Sequence, residues 1–238
     1  MKKILHPSNT RGVGDFGWLQ ARYSFSFANY FNPERLQFGM LRVLNDDTVA
    51  PGMGFGRHPH DNMEIVTIPQ KGALKHRDSM GNEGVIEAGD IQIMSAGKGV
   101  EHSEINASAK EPISLFQIWV IPETRDVEPR YDQKKIAPLL TENEIVPVVK
   151  PKDKADDNDL WLHQQVWFNL GTFSEETTTT YNLHNKNHGI YVFVIDGTVV
   201  VEDETLERRD AIGVYETESV SITAKANTDV LVIEIPMQ

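Results

Sequence analysis

The chain has 238 residues, 39% of them apolar and 24% charged, which excludes the disordered and fibrous classes and suits a soluble globular protein. Lys and Arg total 23 against 35 for Asp and Glu; the resulting net charge of -12 repels a phosphate backbone and argues against direct nucleic-acid binding. There is no cysteine, so disulfides, thiolate metal sites and cysteine nucleophiles are excluded, and any transition metal must be held by nitrogen and oxygen.

The start, MKKILHPSNT, has lysines but no apolar run behind them, and no later stretch approaches the roughly 20 apolar residues of a membrane helix. A cytoplasmic protein without membrane contact is expected. Phe25, Phe27 and Tyr30 form an aromatic cluster that reads as core in preference to a wall for a flat aromatic substrate. Asn45-Asp46-Asp47, set between apolar runs, reads as a turn.

Gly52-Met-Gly-Phe-Gly-Arg-His58-Pro-His60-Asp-Asn-Met-Glu64 carries the most chemistry. The alternating glycines suit tight strand packing better than a phosphate loop, because no helical pattern follows them. On an extended segment, residues two apart share a face about 6.6 Å apart, so His58 and His60 can converge on one ion. Glu64 would share that face on an unbroken strand, but about 13 Å from His60. His76-Arg77-Asp78 follows: His76 either orients a ligand and lines the pocket mouth, or is a surface histidine paired to the neighbouring acid.

After the turn Gly89-Asp90 comes Ala96-Gly-Lys-Gly-Val-Glu-His102-Ser-Glu104-Ile-Asn106, where His102 and Glu104 repeat the two-apart device. Two such pairs facing each other across a small barrel give three imidazoles and a carboxylate, with positions left open on a metal that prefers five or six ligands. By spacing alone, either Glu64 or Glu104 can supply the carboxylate.

The runs MEIVTI, DIQIMS, SLFQIWVI, IYVFVI, TVVVE and VLVIEI have strand length and composition, so the predicted fold class is all-β with little helix. From Pro122 to Asn158 prolines and charges replace them, which predicts a linker with at most one short helix. It divides the chain into residues 1–133 and 134–238. Each half repeats strand, glycine turn, strand, turn, strand, the pattern of an internal duplication. Matching Gly72 to Gly197 sets Leu183 and Asn185 opposite His58 and His60, and His163, His184 and His188 lie in no paired arrangement. The second half is therefore expected to lack a complete metal site.

Gly52, five residues, His58-x-His60, three residues and Glu64 resemble the first cupin motif, with the closing glycine, Gly72, one residue late. Gly89, five residues, Ser95 where a proline is usual, Gly97, His102 and Asn106 resemble the second. The strings GFGRHPHDNMEIVT, HRDSMGN, QIMSAGKGVEHSE and SFSFANYF resemble the pirin family, and specifically its bacterial quercetinase-like members. That resemblance implies a bicupin of two β-sandwich or barrel domains, the first holding one divalent metal. Its ligands match His58, His60, His102 and Glu104. Iron(II) is the usual metal, and nickel, cobalt, manganese, copper or zinc would suit the same donors.

The implied activity is dioxygenase cleavage of a flavonol such as quercetin with loss of carbon monoxide, the partners being a small aromatic substrate and dioxygen. Glu104 is then the candidate catalytic base, and Glu64 is expected beside a histidine ligand or on the pocket wall. The other class the family implies is a metal-bearing transcriptional co-regulator with a protein partner.

Overall fold

The computed structural model describes residues 1–238. It holds four sheets, two per half, and no α-helix. The first large sheet runs Arg130–Lys135, Asp90–Ser95, Glu64–Lys71, Ile113–Val120, Leu41–Val49, Leu19–Tyr23, Gly12–Asp15. Facing it is a small sheet in the order Gly54–His60, Val100–Asn106, Ala73–Asp78, Glu83–Glu87. The second half repeats this plan. Its large sheet is Lys2–His6, Ala211–Tyr215, His188–Asp196, Thr228–Pro236, Trp167–Phe173, Ile145–Pro151, Leu160–Leu162. Its small sheet is Thr177–Asn182, Ser219–Ala224, Thr198–Val201, Glu204–Glu207. The chain's first strand, Lys2–His6, thus extends the sheet of the far half, paired antiparallel with Ala211–Tyr215.

The two large sheets pack back to back. Strand alternation explains how: Leu44, Val66, Ile68, Ile93, Phe116 and Ile118 face outward from the first barrel and meet Phe168, Tyr191, Phe193, Leu231 and Ile233 of the second in one core of 25 buried residues. The residues between them point into the barrels, and here the halves differ. The second barrel is filled by Ile190, Val192, Val194, Ile212, Val214, Ile222, Val230 and Val232. Each such side chain stabilises the fold by about 1.5–3 kcal/mol. The first barrel instead carries a polar row across four strands, Asn45 opposite Gln117, Gln117 opposite Thr67, and Thr67 opposite Gln92.

Two expectations are corrected. Asn45-Asp46-Asp47 is no turn but the middle of the strand Leu41–Val49. Tertiary contacts override turn propensity: Asp46 crosses the interface to Arg209 at 3.1 Å and Arg11 at 3.8 Å, while Asn45 and Asp47 turn inward. The stretch 122–158 is more than a linker. Arg130–Lys135 pairs with Asp90–Ser95 and spans the expected boundary at 133, and Ile145–Pro151 joins the second large sheet. Its charged residues lie mostly in turns and on the edge strand Arg130–Lys135, where the alternation is weak. No helix is long and apolar enough to cross a membrane.

Candidate metal centre

The strands Gly54–His60 and Val100–Asn106 are antiparallel neighbours, with His102 directly opposite His58 and Val100 opposite His60. Gly54 permits this pairing: a Cβ there would run into the carbonyl oxygen of Glu104. The register slips between His102 and Glu104, a bulge that re-aims the second side chain.

His58, His60 and His102 bring ligand nitrogens within 4.8 Å of one another. Their ring centroids stand 4.5–4.8 Å apart, and His58 Nε2 lies 3.0 Å from His102 Nε2. Two nitrogens each about 2.1 Å from a common ion would be separated by that order of distance. His58 Nδ1–H donates to the Gly56 carbonyl at 2.7 Å, which turns the Nε2 lone pair into the site. His60 Nε2 is buried with no partner. Burial, assisted by the neighbouring imidazoles, pushes His60 down to about 4 and His102 down to about 2, so both are neutral and ready to ligate at pH 7. This donor set fits a divalent transition metal.

Glu104 stands beside this trio, in an overlapping group with His76 and His102. Gln117 Nε2 donates to its Oε2 at 2.8 Å and Thr67 Oγ1 to its Oε1 at 3.3 Å. Burial pushes its acid up to about 7, against those hydrogen bonds. His76 is not a surface residue. It is buried, with its ring 5.3 Å from that of His102, stacked on Tyr131 at 4.6 Å, and bonded through Nε2 to Asp78 at 3.2 Å.

Glu64 lies elsewhere than expected. Its carboxylate is on the opposite face of the sheet, where it accepts from Ser95 Oγ at 2.8 Å and from the backbone N–H of His163 at 3.1 Å. The strand breaks after His60; Asn62 takes φ 45°, and the chain restarts at Glu64 in the other sheet with the alternation reset. Glu64 therefore touches neither a histidine ligand nor the pocket.

The histidines open on a cavity of ≈ 240 Å³ walled by Leu19, Tyr23, Phe27, Phe55, Ile65, Trp119, Asn45, Asp47 and Gln117 together with Glu104. A larger groove of ≈ 780 Å³ beside Met40, Lys186 and Tyr215 gathers no convergent donor set, so the chemistry belongs to the smaller one. Within the aromatic cluster, Phe25 is core against Tyr191, whereas Phe27 is pocket wall, edge-on to Trp119 at 5.3 Å. Asn45 and Asp47 were missed as site residues; their two-apart spacing between Val43 and Val49 was the available signal. Burial, with Asp46 and Glu104 adding, pushes the Asp47 acid up to about 8.

In the second half, His184 and His188 do not converge on an open centre. Their Nδ1 atoms meet the Glu234 carboxylate at 2.6 and 2.9 Å, Tyr181 donates to it at 2.9 Å, and Trp167 stacks on His184 at 4.1 Å. Burial opposes ionisation of Glu234, but these hydrogen bonds outweigh it and hold the acid below its ordinary range.

Residues 6–120 match the family described as Pirin, and residues 148–235 match the one described as the quercetinase C-terminal cupin domain. A protein of Escherichia coli K12 named quercetin 2,3-dioxygenase is 34% identical over 98% of both chains, and a pirin-like protein of Caulobacter vibrioides is 36% identical over 96% of this chain and 97% of its own. The crystal structure of the bacterial pirin YhhW from Escherichia coli in complex with nickel(II) superposes with a TM-score of 0.92 at 34% identity, covering 99% of each chain. Two cupin barrels back to back, one polar and histidine-lined and one filled mainly by aliphatic side chains, together with these matches along nearly the whole chain, make this protein a member of the pirin family.

Proposed function

We propose that the protein is a metal-dependent dioxygenase that opens the ring of a flavonol such as quercetin and releases carbon monoxide. The observation that carries this is the convergence of three neutral imidazoles at the floor of an aromatic-walled cavity, with a buried carboxyl beside them. The names of the E. coli relative and of the second matched family support the substrate class. His58, His60, His102 and Glu104 would hold one divalent metal, with iron(II) as the expected ion and nickel(II) the one named for the E. coli neighbour. When bound, the ion supplies Lewis-acid stabilisation of an ionised enol and the redox capacity that dioxygen chemistry requires.

The chain's own residues do the rest. Glu104 takes the proton of the flavonol 3-hydroxyl, and Gln117 and Thr67 fix the direction in which it does so. Phe27, Phe55 and Trp119 present flat apolar faces that orient a planar ring and exclude water. His76, packed between His102 and Tyr131, holds the ligand ring in place.

The test is oxygen uptake and carbon monoxide release by metal-loaded protein with quercetin, both lost in His60→Ala. Absence of turnover with every first-row divalent metal would remove the dioxygenase reading and leave a metal-bearing regulatory protein, to be sought through a partner protein that binds one metal state only.

A further inference from the structure

Asn45 and Asp47 occupy the inward face of the strand Leu41–Val49, each 2% exposed, and both line the cavity that holds the histidines. The Oδ1 atom of each is buried with no hydrogen-bond partner in the chain, and Trp119 Nε1 on the same wall is also unpartnered. Orphans of this kind are rare in folded proteins. Leaving one unsatisfied costs about 1–3 kcal/mol, and apolar residues of similar shape would avoid the penalty. In the second barrel the equivalent positions are Asn169 and Gly171, and there the asparagine amide is satisfied, donating to the Tyr181 hydroxyl at 3.2 Å and the Val232 carbonyl at 3.0 Å. Polar side chains held two apart on one strand, each with an unpaired oxygen and both lining the cavity, are built to meet hydroxyl groups of a ligand.

We propose that Asn45 and Asp47 form a hydroxyl-recognising subsite that restricts the substrate to polyhydroxylated flat aromatics, binding a ring hydroxyl other than the one that faces the histidines. This rests on the flavonol reading above and adds what selects among flavonols. Phe27 and Trp119, edge to face at 5.3 Å, set the plane of the ring; the polar pair sets which ring edge is accepted.

The experiment is an anaerobic equilibrium titration of nickel-loaded protein with quercetin and with 3-hydroxyflavone, which keeps the 3-hydroxyl and lacks the others. The wild type should prefer quercetin by at least about tenfold, the factor expected when a buried acceptor is left unpaired by the simpler ligand. Asn45→Leu and Asp47→Leu, which are close in volume and leave no orphan, should each bring that ratio towards one. Thermal melts check that the variants fold, and Asn45→Ala and Asp47→Ala replace any that do not. A preference retained in the variants, or equal binding of both compounds by the wild type, overturns the subsite. Failure of the wild type to bind either compound overturns the flavonol reading, and the subsite with it.

Discussion

Glu64 and Glu104 are both buried carboxyls whose acids burial pushes up to about 7, yet they serve opposite sides of the first barrel's wall. Glu104 points inward beside His102, whereas Glu64 points to the interface and ties Ser95 to the backbone of His163. Glu104→Gln should therefore weaken metal binding by at least about tenfold, the usual cost of losing a ligand or its support. Glu64→Gln should leave metal content at the wild-type level, as measured by elemental analysis after dialysis. The histidine pairs were legible because a two-residue spacing on a strand is a strong geometric statement. The Asn45-Asp46-Asp47 triplet was not legible. Its residues are turn formers by composition, and only Arg11 and Arg209, the latter far along the chain, reveal why Asp46 sits mid-strand.

Strand pairing decides whether the histidines meet. Gly54 lies opposite Ile105 on the two strands that carry His58, His60 and His102, and any side chain there would strike the Glu104 backbone. Gly54→Ala should push these strands apart at a cost of about 1–3 kcal/mol in stability and lower metal affinity without removing a ligand. Gly56→Ala is the control: a Cβ at that position meets nothing within 4 Å, so melting temperature and metal affinity should both stay close to wild type. The apolar strands of both halves were readable as short runs between glycine turns. The edge strands Arg130–Lys135 and Lys2–His6 were not, because half-exposed, charged edges lack alternation and their partners lie far off in sequence.

Across the molecule, three inward or interfacial carboxyls, Asp47, Glu64 and Glu104, keep their protons in the folded metal-free protein at pH values where the unfolded chain has lost them. Their folded values lie above the ordinary ones, so the stability they contribute falls as pH rises from about 4.5 towards about 8, while His6, His60 and His102, whose values lie below the ordinary one, act in the opposite direction up to about pH 6.5. Glu64→Gln is permanently neutral, so the melting temperature of the metal-free wild type should fall relative to that of the variant as pH is raised from about 5.5 to about 8. A difference between wild type and Glu64→Gln that stays constant with pH would show that this carboxyl is not buried as described.

The two barrels divide the work by what fills them. Val and Ile pack the second, while polar residues and a cavity occupy the first, and the interface core joins them into one body. The metal content of purified, dialysed protein, compared with that of His60→Ala, tests this division most directly. The wild type should hold about one divalent ion per chain and the variant close to none; a wild-type value near two, or retention of the ion by the variant, would contradict a single centre built on His58, His60 and His102.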